Sequence, residues 1–425
     1  MKIEKFELVY NFNNIKFINI KVLNELVKRK VFCKNTYEYI LSHYKKKDHR
    51  NNFIPLDIFE KIIRKYPKMK ECWCLSGLPF IECHFNKKMS LKDEKPIHNK
   101  FKKILSKQEC LHRNISPCSD QVIKAHSISK KISLSAICQN NHVYGFKFDF
   151  NDIKFRKIGI NDASTFFGFC KKHDESLFSS FEKKDFLKTN KQLFDLCYRA
   201  ICQEHYTMLR VIDYLKEIKK NIDKDYSFIG QIEFQAEINS QINFYKLGVR
   251  YSNYYKQQLE KKYYVSKHED DLVHYIFELK ENYPKFQSSS CFNLEYDMDG
   301  NQLQNLDRAE VQSKNIFINC VSLQSKGYFI ISWFKENNDF GKQIISSIVS
   351  SPSSIEDKLF SLTFLYIFNT FVSPEWFESL TEIQKIELKK LQDFWNEQNK
   401  FSPSMIISNM NSIRIKRHYF YKDTT

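Results

Sequence analysis

The scarcity of glycine and proline is the feature that most constrains how this chain can fold. Its 425 residues include only 9 glycines and 9 prolines, about a third of the usual share. These two residues supply the tight turns that sandwiches and barrels of many short strands need. We therefore expect long helices with few turns between them. Hydrophobic residues make up 42% of the chain and aromatic residues 15%, which is enough apolar surface to form buried cores.

Apolar residues recur at helical spacing in four stretches. Two basic, amphipathic stretches occupy residues 18–31 and 56–66, and two longer ones occupy residues 192–220 and 232–263. In each, apolar positions repeat about every 3.6 residues between charged ones, which predicts a helix with one buried face. The two longer stretches predict the longest helices of the protein.

Strand patterns occur in two places. Residues 143–150 alternate between apolar and polar side chains, which predicts a single strand. Residues 316–323 and 328–334 are rich in β-branched and aromatic side chains and flank Lys326-Gly327, a turn dipeptide. This arrangement predicts an antiparallel hairpin within a small sheet.

Positive charge is concentrated in the first half of the chain. Residues 1–200 contain 40 Lys and Arg against 21 Asp and Glu, whereas residues 201–425 contain 27 against 29. A general bias in composition would act evenly, so we expect residues 1–200 to present a surface for a polyanion, with nucleic acid favoured over an anionic membrane. The basic tail at residues 414–419 is expected to be a solvated terminus.

The apolar segments are too short to span a membrane. No run reaches 18 residues, and the first residues, Met1-Lys2-Ile3-Glu4, lack a hydrophobic signal segment. We therefore expect a cytoplasmic protein with no membrane partner. In that compartment the 12 cysteines stay reduced, as buried residues or as metal ligands.

One group of cysteines is interpreted as packing residues. Cys72, Cys74, Cys83 and His84 lie close together in the sequence. Their Cys-x-Cys step is shorter than the two intervening residues that usually turn the backbone around a zinc ion. We therefore expect these side chains to fill a buried core.

A second group has a spacing that favours a metal site. Cys110 and Cys118 form one pair, and Cys170 and His173 form another about 50 residues later, with Cys-x2-His spacing at the predicted start of a helix. A loop pair and a pair on the first turn of a helix together close a tetrahedral zinc site. We predict that these four residues bind a structural Zn²⁺ ion.

The same residues resemble the treble-clef modules of HNH-type nucleases. In that family a cysteine pair precedes a short strand that ends in a Ser/Ala/Asp-His-Ile type of step, and a second ligand pair lies near the start of a helix. Cys110 and Cys118 match the first pair, Ala125-His126-Ser127-Ile128 matches the step, and Cys170 and His173 match the second pair. The resemblance covers about 75 of the 425 residues.

The resemblance implies roles for further residues. His126 would be the general base, and Mg²⁺ or Mn²⁺ beside it, held by Asp174 or His142, would stabilise charge on the phosphate. The family also uses an asparagine to orient the base. Three asparagines compete for that role: Asn140, Asn141 and Asn161. The zinc ligands also have alternatives, since His112 or His126 could replace one of the four, with His126 in the place of Cys110.

Together these patterns predict an α+β, helix-rich multidomain protein with a small treble-clef-like zinc module and a C-terminal α/β region. Its expected segments are a basic helical N-terminal region at residues 1–100, the HNH-like module at 101–190, a long-helix region at 191–290, and an α+β region with the small antiparallel sheet at 291–425. On the long helix, Arg199 is expected to pair with Glu204 or to tether the zinc module. The expected function is metal-dependent cleavage of DNA or RNA, with a role in bacterial defence by analogy. The alternative is a non-catalytic, zinc-stapled protein that binds nucleic acid or protein.

Overall fold

The computed structural model describes residues 9–12, 15–28, 30, 32–44, 52–85, 94–119, 121–149, 152–265, 271–280, 284–306, 311–350, 353–397 and 401–421. The chain forms two compact units, each of which is discontinuous in sequence. Unit 1 consists of Met1–Lys107 and Met208–Gly248, and unit 2 consists of Gln108–Thr207 and Val249–Thr425. Among the described helices, none combines the length and the apolar composition that crossing a membrane requires.

The described residues form thirteen α-helices, which include the long helices that the sequence predicts. They are α1 (Ile20–Lys28), α2 (Lys34–His43), α3 (Leu56–Arg64), α4 (Phe80–Cys83), α5 (Glu94–Leu105), α6 (Ser135–Ile137), α7 (Lys171–Glu182), α8 (Asn190–Asn221), α9 (Phe228–Val265), α10 (Asn338–Val349), α11 (Ile355–Tyr366), α12 (Pro374–Ser379) and α13 (Glu382–Glu397). Helices α1, α3, α8 and α9 lie in the four stretches with helical spacing, which confirms the four helices. The first helix begins later than predicted, because Ile18 and Asn19 belong to the strand Ile15–Asn19. Arg29 and Val31 of the first stretch lie outside the described residues.

The described residues also form thirteen β-strands in three antiparallel sheets. The strands are β1 (Val9–Phe12), β2 (Ile15–Asn19), β3 (Phe53–Pro55), β4 (Val122–His126), β5 (His142–Asp149), β6 (Asp152–Gly159), β7 (Thr165–Cys170), β8 (Leu272–Leu279), β9 (Phe286–Asn293), β10 (Asn315–Leu323), β11 (Lys326–Phe334), β12 (Thr370–Val372) and β13 (Ile415–Phe420). The sheet orders are β1-β2-β3, β4-β7 and β13-β8-β11-β10-β9-β12-β5-β6. An α+β architecture follows directly.

Unit 1 packs its helices against the small sheet β1-β2-β3, which the sequence patterns did not predict. Ile18 of β2 and Ile54 of β3 are fully buried, as are Leu23 of α1 and Phe59 of α3. All four belong to one hydrophobic core that also contains Trp73. The strands are only three to five residues long, so their period-2 pattern is too short to stand out from the neighbouring helices.

Unit 2 is built on the eight-stranded sheet, whose central strands are buried on both faces. Side chains alternate strictly along each strand: Ile316 and Ile318 of β10 belong to one core, and Phe317 between them belongs to the other. The first core includes side chains of α10, α11 and α13, and the second includes side chains of α7, α8 and α9. The sheet is therefore a central layer between two layers of helices.

The predicted hairpin is present, but its sheet is larger than expected. Strands β10 and β11 pair antiparallel, which confirms the hairpin. Its turn is Gln324-Ser325, both with left-handed backbone, and the predicted turn dipeptide Lys326-Gly327 instead begins β11. The sheet also contains β8 and β9, together with β5 and β6 from much earlier in the chain. It is thus neither small nor confined to residues 291–425. The three-residue strand β12 joins the two halves, because it pairs with β9 on one side and with β5 on the other.

The basic tail is also part of this sheet, as an edge strand whose side chains are mostly exposed to solvent, as expected. Residues 415–420 form β13 and pair with β8 along one edge. The guanidinium group of Arg417 donates two hydrogen bonds of 2.8 and 3.0 Å to Glu278, and the Tyr419 hydroxyl donates a third of 2.7 Å. The tail is ordered because this carboxylate and the β8 backbone satisfy its polar groups.

Candidate metal centres

A strand pair and the helix that follows it carry the predicted zinc ligands of unit 2. Strands β4 and β7 pair antiparallel, and β7 ends at Cys170, the N-cap residue of α7. His173 lies in the first turn of that helix. Upstream of β4, the Leu111 amide donates a 2.9 Å hydrogen bond to the Gly168 carbonyl of β7. This bond places Cys110 beside the strand that ends at Cys170.

Four side chains converge here in what we name the Cys110 cluster: Cys110, Cys118, Cys170 and His173. The three Sγ atoms lie 3.3, 3.8 and 3.4 Å from Nδ1 of His173, and all four donor atoms lie within 4.8 Å of one another. A tetrahedral Zn²⁺ ion with Zn–S and Zn–N bonds of about 2.3 and 2.0 Å would hold sulfur and nitrogen about 3.5 Å apart. The cluster can therefore hold a metal ion, and zinc fits both its size and its donors.

The two alternative histidines lie outside the Cys110 cluster. Nδ1 of His112 is 2.7 Å from the Tyr198 hydroxyl, and Nε2 of His126 is 3.2 Å from the Ile160 carbonyl oxygen. The His112 ring packs edge-on against His173, with ring centroids 4.8 Å apart. Burial lowers the pKa of His112 to about 3, so its ring is neutral at pH 7. It neighbours the ligands without joining them.

Burial and hydrogen bonds both shift the pKa values of residues in the Cys110 cluster. Nε2 of His173 lies 2.6 Å from Ser116 Oγ, and donation from Nε2–H to that hydroxyl leaves the Nδ1 lone pair facing the sulfur atoms. Burial lowers the pKa of His173 and raises the pKa of Cys110 to about 12. At Cys170 burial also acts against ionisation, but hydrogen bonds, chiefly with Ser119, lower its pKa to about 7. A bound cation would favour the thiolate form of all three cysteines.

Arg199 ties helix α8 to helix α7 next to this cluster. Its side chain is 2% exposed, and its guanidinium nitrogens lie 2.7 Å from Glu182 Oε1 and 3.7 Å from Asp174 Oδ1. Arg199 therefore tethers the module that carries the cluster, which is one of the two arrangements expected from the sequence. Glu204 instead accepts a hydrogen bond from a serine of β9. Asp174, predicted as a catalytic residue, faces a buried guanidinium group, and burial raises the pKa of its carboxyl group.

His126 occupies the last position of β4 and is partly buried. Its Nε2 contacts the Ile160 carbonyl, whose own amide donates a 2.9 Å hydrogen bond to the Asn141 carbonyl. Among the described residues, its Nδ1 has no hydrogen-bond partner. Burial lowers the pKa of His126, and the positive charge of Arg199 acts in the same direction. No side-chain hydrogen bond to His126 from the three candidate asparagines is found in the described part of the chain, although Asn141 supports the Ile160 loop through its backbone.

Unit 1 contains a second cluster of possible metal ligands, here named the Cys72 cluster: Cys72, Cys74, Cys83 and His84. The sequence spacing predicts only packing residues here. Its donor atoms also lie within 4.8 Å of one another, and all four residues are buried. Leu75 and Gly77 adopt left-handed backbone conformations, with φ of 58° and 76°, which reverse the chain between Cys74 and α4. The expectation that two residues separate a pair of zinc ligands does not hold here, because the turn follows Cys74 and does not lie between Cys72 and Cys74. The usable signal was the adjacent Cys83-His84 pair.

The Cys72 cluster forms one buried charge network. Burial raises the pKa of Cys72, whereas hydrogen bonds from Cys72 and Cys74 lower the pKa of Cys83. Burial acts against a charge on His84, but hydrogen bonding to Asp223 raises the pKa of that ring to about 10. With a bound metal ion, thiolate sulfur and the neutral imidazole ring would serve as the ligands.

A basic groove lies along the exposed side of α7. It has a volume of about 710 Å³ and is lined by Ser119, Gln121, Lys171, Lys172, Glu175, Ser176, Ser179 and Lys183. Three lysines face one carboxylate, so the groove favours an anionic ligand. Lys172 also donates a 3.0 Å hydrogen bond to the carbonyl of Pro117, within the loop that leads to Cys118.

The described residues thus offer two Cys/His clusters that could each hold a metal ion, a histidine with one ring nitrogen without a hydrogen-bond partner among those residues, and a basic groove. Searches for similarity to protein-family models, to curated proteins and to solved structures find no match. Function must therefore be inferred from the residues themselves.

Proposed function

We propose that unit 2 contains an HNH-like, treble-clef nuclease module that hydrolyses nucleic-acid phosphodiesters with His126 as general base. The placement of His126 carries this proposal. Its ring is oriented by the Ile160 carbonyl at Nε2, it stays neutral because burial lowers its pKa, and it lies on the strand pair that supports the Cys110 cluster. A neutral imidazole on a rigid element is the form that general-base catalysis requires.

The proposed reaction is hydrolysis by one water molecule. Nδ1 of His126 takes a proton from the water as the water oxygen bonds to phosphorus. The bond from phosphorus to the leaving sugar oxygen breaks, and that oxygen takes a proton from solvent. Structural zinc in the Cys110 cluster would hold β7 and α7 in place and would take no part in these steps.

The charge around the module supports a polyanionic substrate. The groove along α7 presents Lys171, Lys172 and Lys183, and the excess of basic residues in the chain lies within residues 1–200. Contacts between lysines and phosphates release counterions, so binding should weaken steeply with salt. We expect affinity for DNA or RNA to fall by orders of magnitude between low and physiological salt.

The described residues fit a catalytic Mg²⁺ or Mn²⁺ ion poorly. In the described part of the chain, groups of three or more metal-ligating side chains occur only as the two Cys/His clusters. Asp174, the carboxylate predicted for this role, faces the buried Arg199 guanidinium, which would repel a second cation. His142 is exposed and contacts the Asn140 carbonyl through Nδ1. No catalytic step is therefore assigned to such an ion.

Plasmid nicking by the purified full-length protein tests the proposal. Reactions would run with added Mg²⁺, with added Mn²⁺ and without either, and would compare wild type with His126→Ala. Loss of a positioned base should slow nicking by about 10²- to 10⁴-fold while zinc content and nucleic-acid affinity are retained. His142→Ala is the matched control, since it removes an exposed histidine of the same unit and should cut at the wild-type rate.

Three outcomes would contradict this proposal. Nicking by His126→Ala at the wild-type rate would exclude His126 as the base, and loss of zinc in that variant would make His126 a ligand. A wild-type protein that binds nucleic acid but never cuts it would support a second candidate, a non-catalytic zinc-stapled binding protein. The pairing of both Asp174 and Glu182 with Arg199 favours that candidate, because it engages Asp174, the carboxylate predicted to hold a catalytic ion.

A further inference from the structure

The Cys72 cluster of unit 1 lies outside the proposed nuclease module and has its own ligand geometry. We propose that it is a second, structural zinc site, formed by Cys72, Cys74, Cys83 and His84, and that Asp223 is a positioning residue that raises its affinity by holding the His84 ring. Unit 1 would then contain a closed tetrahedral site of the Cys3His type, with no open position for substrate.

Distances within the cluster match a tetrahedral ion. Sγ of Cys72 is 3.2 Å from Nδ1 of His84, and Sγ of Cys74 is 3.5 Å from Sγ of Cys83. Zinc bound to these atoms would separate sulfur from nitrogen by about 3.5 Å and sulfur from sulfur by about 3.8 Å, given bonds of about 2.0 and 2.3 Å. Small adjustments of the side chains would therefore accommodate the ion. Three sulfur donors and one imidazole favour Zn²⁺ over Mg²⁺ or Ca²⁺, which prefer oxygen.

A disulfide does not explain this arrangement. A disulfide bond brings two sulfur atoms to about 2.05 Å, whereas the sulfur atoms of Cys74 and Cys83 are 3.5 Å apart and neither residue forms a disulfide. Packing alone does not require donor atoms to point at one another either. Ser76 adds a hydroxyl group 3.2 Å from Cys83 Sγ, and donation from that hydroxyl would stabilise a thiolate ligand.

The second observation is a chain of buried polar groups behind His84. Its Nε2 lies 2.7 Å from Oδ2 of Asp223, whose side chain is fully buried. Gln235, which is also fully buried, donates a 2.7 Å hydrogen bond to the same oxygen and a 2.8 Å hydrogen bond to the Lys219 carbonyl. Asp223 thus requires hydrogen on Nε2. The lone pair of Nδ1 then points into the group of sulfur atoms.

This arrangement is the carboxylate–histidine–metal relay that commonly supports zinc ligands. It fixes the tautomer and orientation of the imidazole ring and makes its free nitrogen a better donor. Removal of such a partner typically weakens metal binding by about 10- to 100-fold. Asp223 therefore acts through His84, and its effect should vanish when the ligand at position 84 has no second ring nitrogen.

Metal analysis of the purified full-length protein tests the site itself. Wild type should carry two zinc ions per chain, one for each cluster. Cys83→Ser and Cys170→Ser should each carry one, because they disrupt different clusters. Cys33→Ser is the matched control, since Cys33 is a buried cysteine of unit 1 outside the cluster, and it should keep both ions. His84→Cys retains four ligands and should keep both ions as well, which separates loss of a ligand from loss of the fold.

Competition with a chromophoric zinc chelator tests the role of Asp223. Asp223→Ala should weaken the binding of one of the two ions by about 10- to 100-fold, and Asp223→Asn, whose amide oxygen still accepts from Nε2–H, should weaken it less. In a His84→Cys background, Asp223→Ala should leave both affinities unchanged. Substitution with Co²⁺ provides an independent readout, because tetrahedral thiolate coordination gives intense visible bands that Cys83→Ser should reduce.

Specific results would overturn the inference. A wild-type protein with a single zinc ion that Cys83→Ser retains would show that the Cys72 cluster is not a zinc site. An unchanged affinity in Asp223→Ala, or a loss that persists in the His84→Cys background, would show that Asp223 does not act through the imidazole ring. Neither result bears on His126 or on nuclease activity, so the two proposals fail independently.

Discussion

Arg199 offers the sharpest test of how the module around the Cys110 cluster is held together. Its side chain is 2% exposed and lies against two carboxylates, Glu182 at 2.7 Å and Asp174 at 3.7 Å. Arg199→Met keeps a long apolar side chain but leaves both carboxylates without their cation. Removal of one partner from a buried ion pair costs about 3–5 kcal/mol.

The local exposure of the carboxylates sets where in that range the cost should fall. The side chains of Asp174 and Glu182 are 15% and 29% exposed, so water compensates part of their lost pairing. The guanidinium group also stacks over Phe178, 4.2 Å from the ring centroid, and a desolvated contact of this kind adds about 2 kcal/mol. We expect Arg199→Met to lower the free energy of unfolding of unit 2 by about 3–4 kcal/mol.

Urea denaturation followed by tryptophan fluorescence measures this change. Trp73 is the single tryptophan of unit 1, so a Trp73→Phe background makes the signal report unit 2. Arg417→Met is the matched control: Arg417 also pairs with a carboxylate, but its side chain is 63% exposed, so its removal should change the midpoint far less.

The remaining variants separate charge from packing. Conversion of both carboxylates to amides, Asp174→Asn and Glu182→Gln, in the Arg199→Met background should recover much of the lost stability, because no buried charge is then left unpaired. A loss of less than about 1 kcal/mol in Arg199→Met, typical of an exposed pair, would refute the reasoning. So would a triple variant that is less stable than Arg199→Met alone.

Three further predictions concern ionisation, packing and ligand support in unit 2. Burial lowers the pKa of His274 from 6.5 to about 3, so the unfolded chain binds one more proton than the folded chain and stability is lost as pH falls from 6.5 toward 3. In urea titrations, the free energy of unfolding of wild type relative to His274→Phe should fall by up to about 1.4 kcal/mol per pH unit in this range. Equal pH dependence in the two proteins would contradict this. Gly341→Ala would place a Cβ atom against Cε2 of Trp333, too close for the two atoms to coexist. Thermal unfolding should show unit 2 destabilised by about 1–3 kcal/mol or more. An unchanged unfolding midpoint would mean that the Trp333 side chain moves away at no cost. Ser116→Ala removes the hydrogen-bond partner of His173 Nε2. In chelator competition it should weaken zinc binding at the Cys110 cluster by about 10- to 100-fold. Ser116→Thr keeps the hydroxyl group and is the conservative control.

The helices could be predicted from sequence because their signal is local. Few glycines and prolines interrupt the apolar periodicity, so α8 and α9 stand out over many turns. The extent of the large sheet could not be predicted in the same way. Its continuity depends on β12, a strand of three residues, which is too short to show alternation. Its neighbours β5 and β9 lie far away in sequence, and no local pattern encodes that pairing.

The two clusters show the same contrast at the level of single residues. The Cys110 cluster could be assembled from sequence because one ligand pair has the spacing of a helix start. The Cys72 cluster depends on left-handed backbone at Leu75, a residue with no special preference for that conformation. The geometry of this turn is set by the residues packed around it and not by a turn-forming sequence. Ligand spacing alone therefore does not predict a metal site here.

The contact between His84 and Asp223 spans 139 residues, and this separation has a consequence during protein synthesis. A ribosome that adds about 5–20 residues per second would make Asp223 about 7–28 seconds after His84. During that interval the nascent chain carries the three thiols of the Cys72 cluster and the His84 imidazole ring, but not yet the Asp223 carboxylate that fixes the tautomer of that ring. Unit 1 cannot be completed before its second segment, Met208–Gly248, has been made. The zinc affinity that we propose for the Cys72 cluster would therefore be acquired late, after the whole first segment of unit 2 has been synthesised.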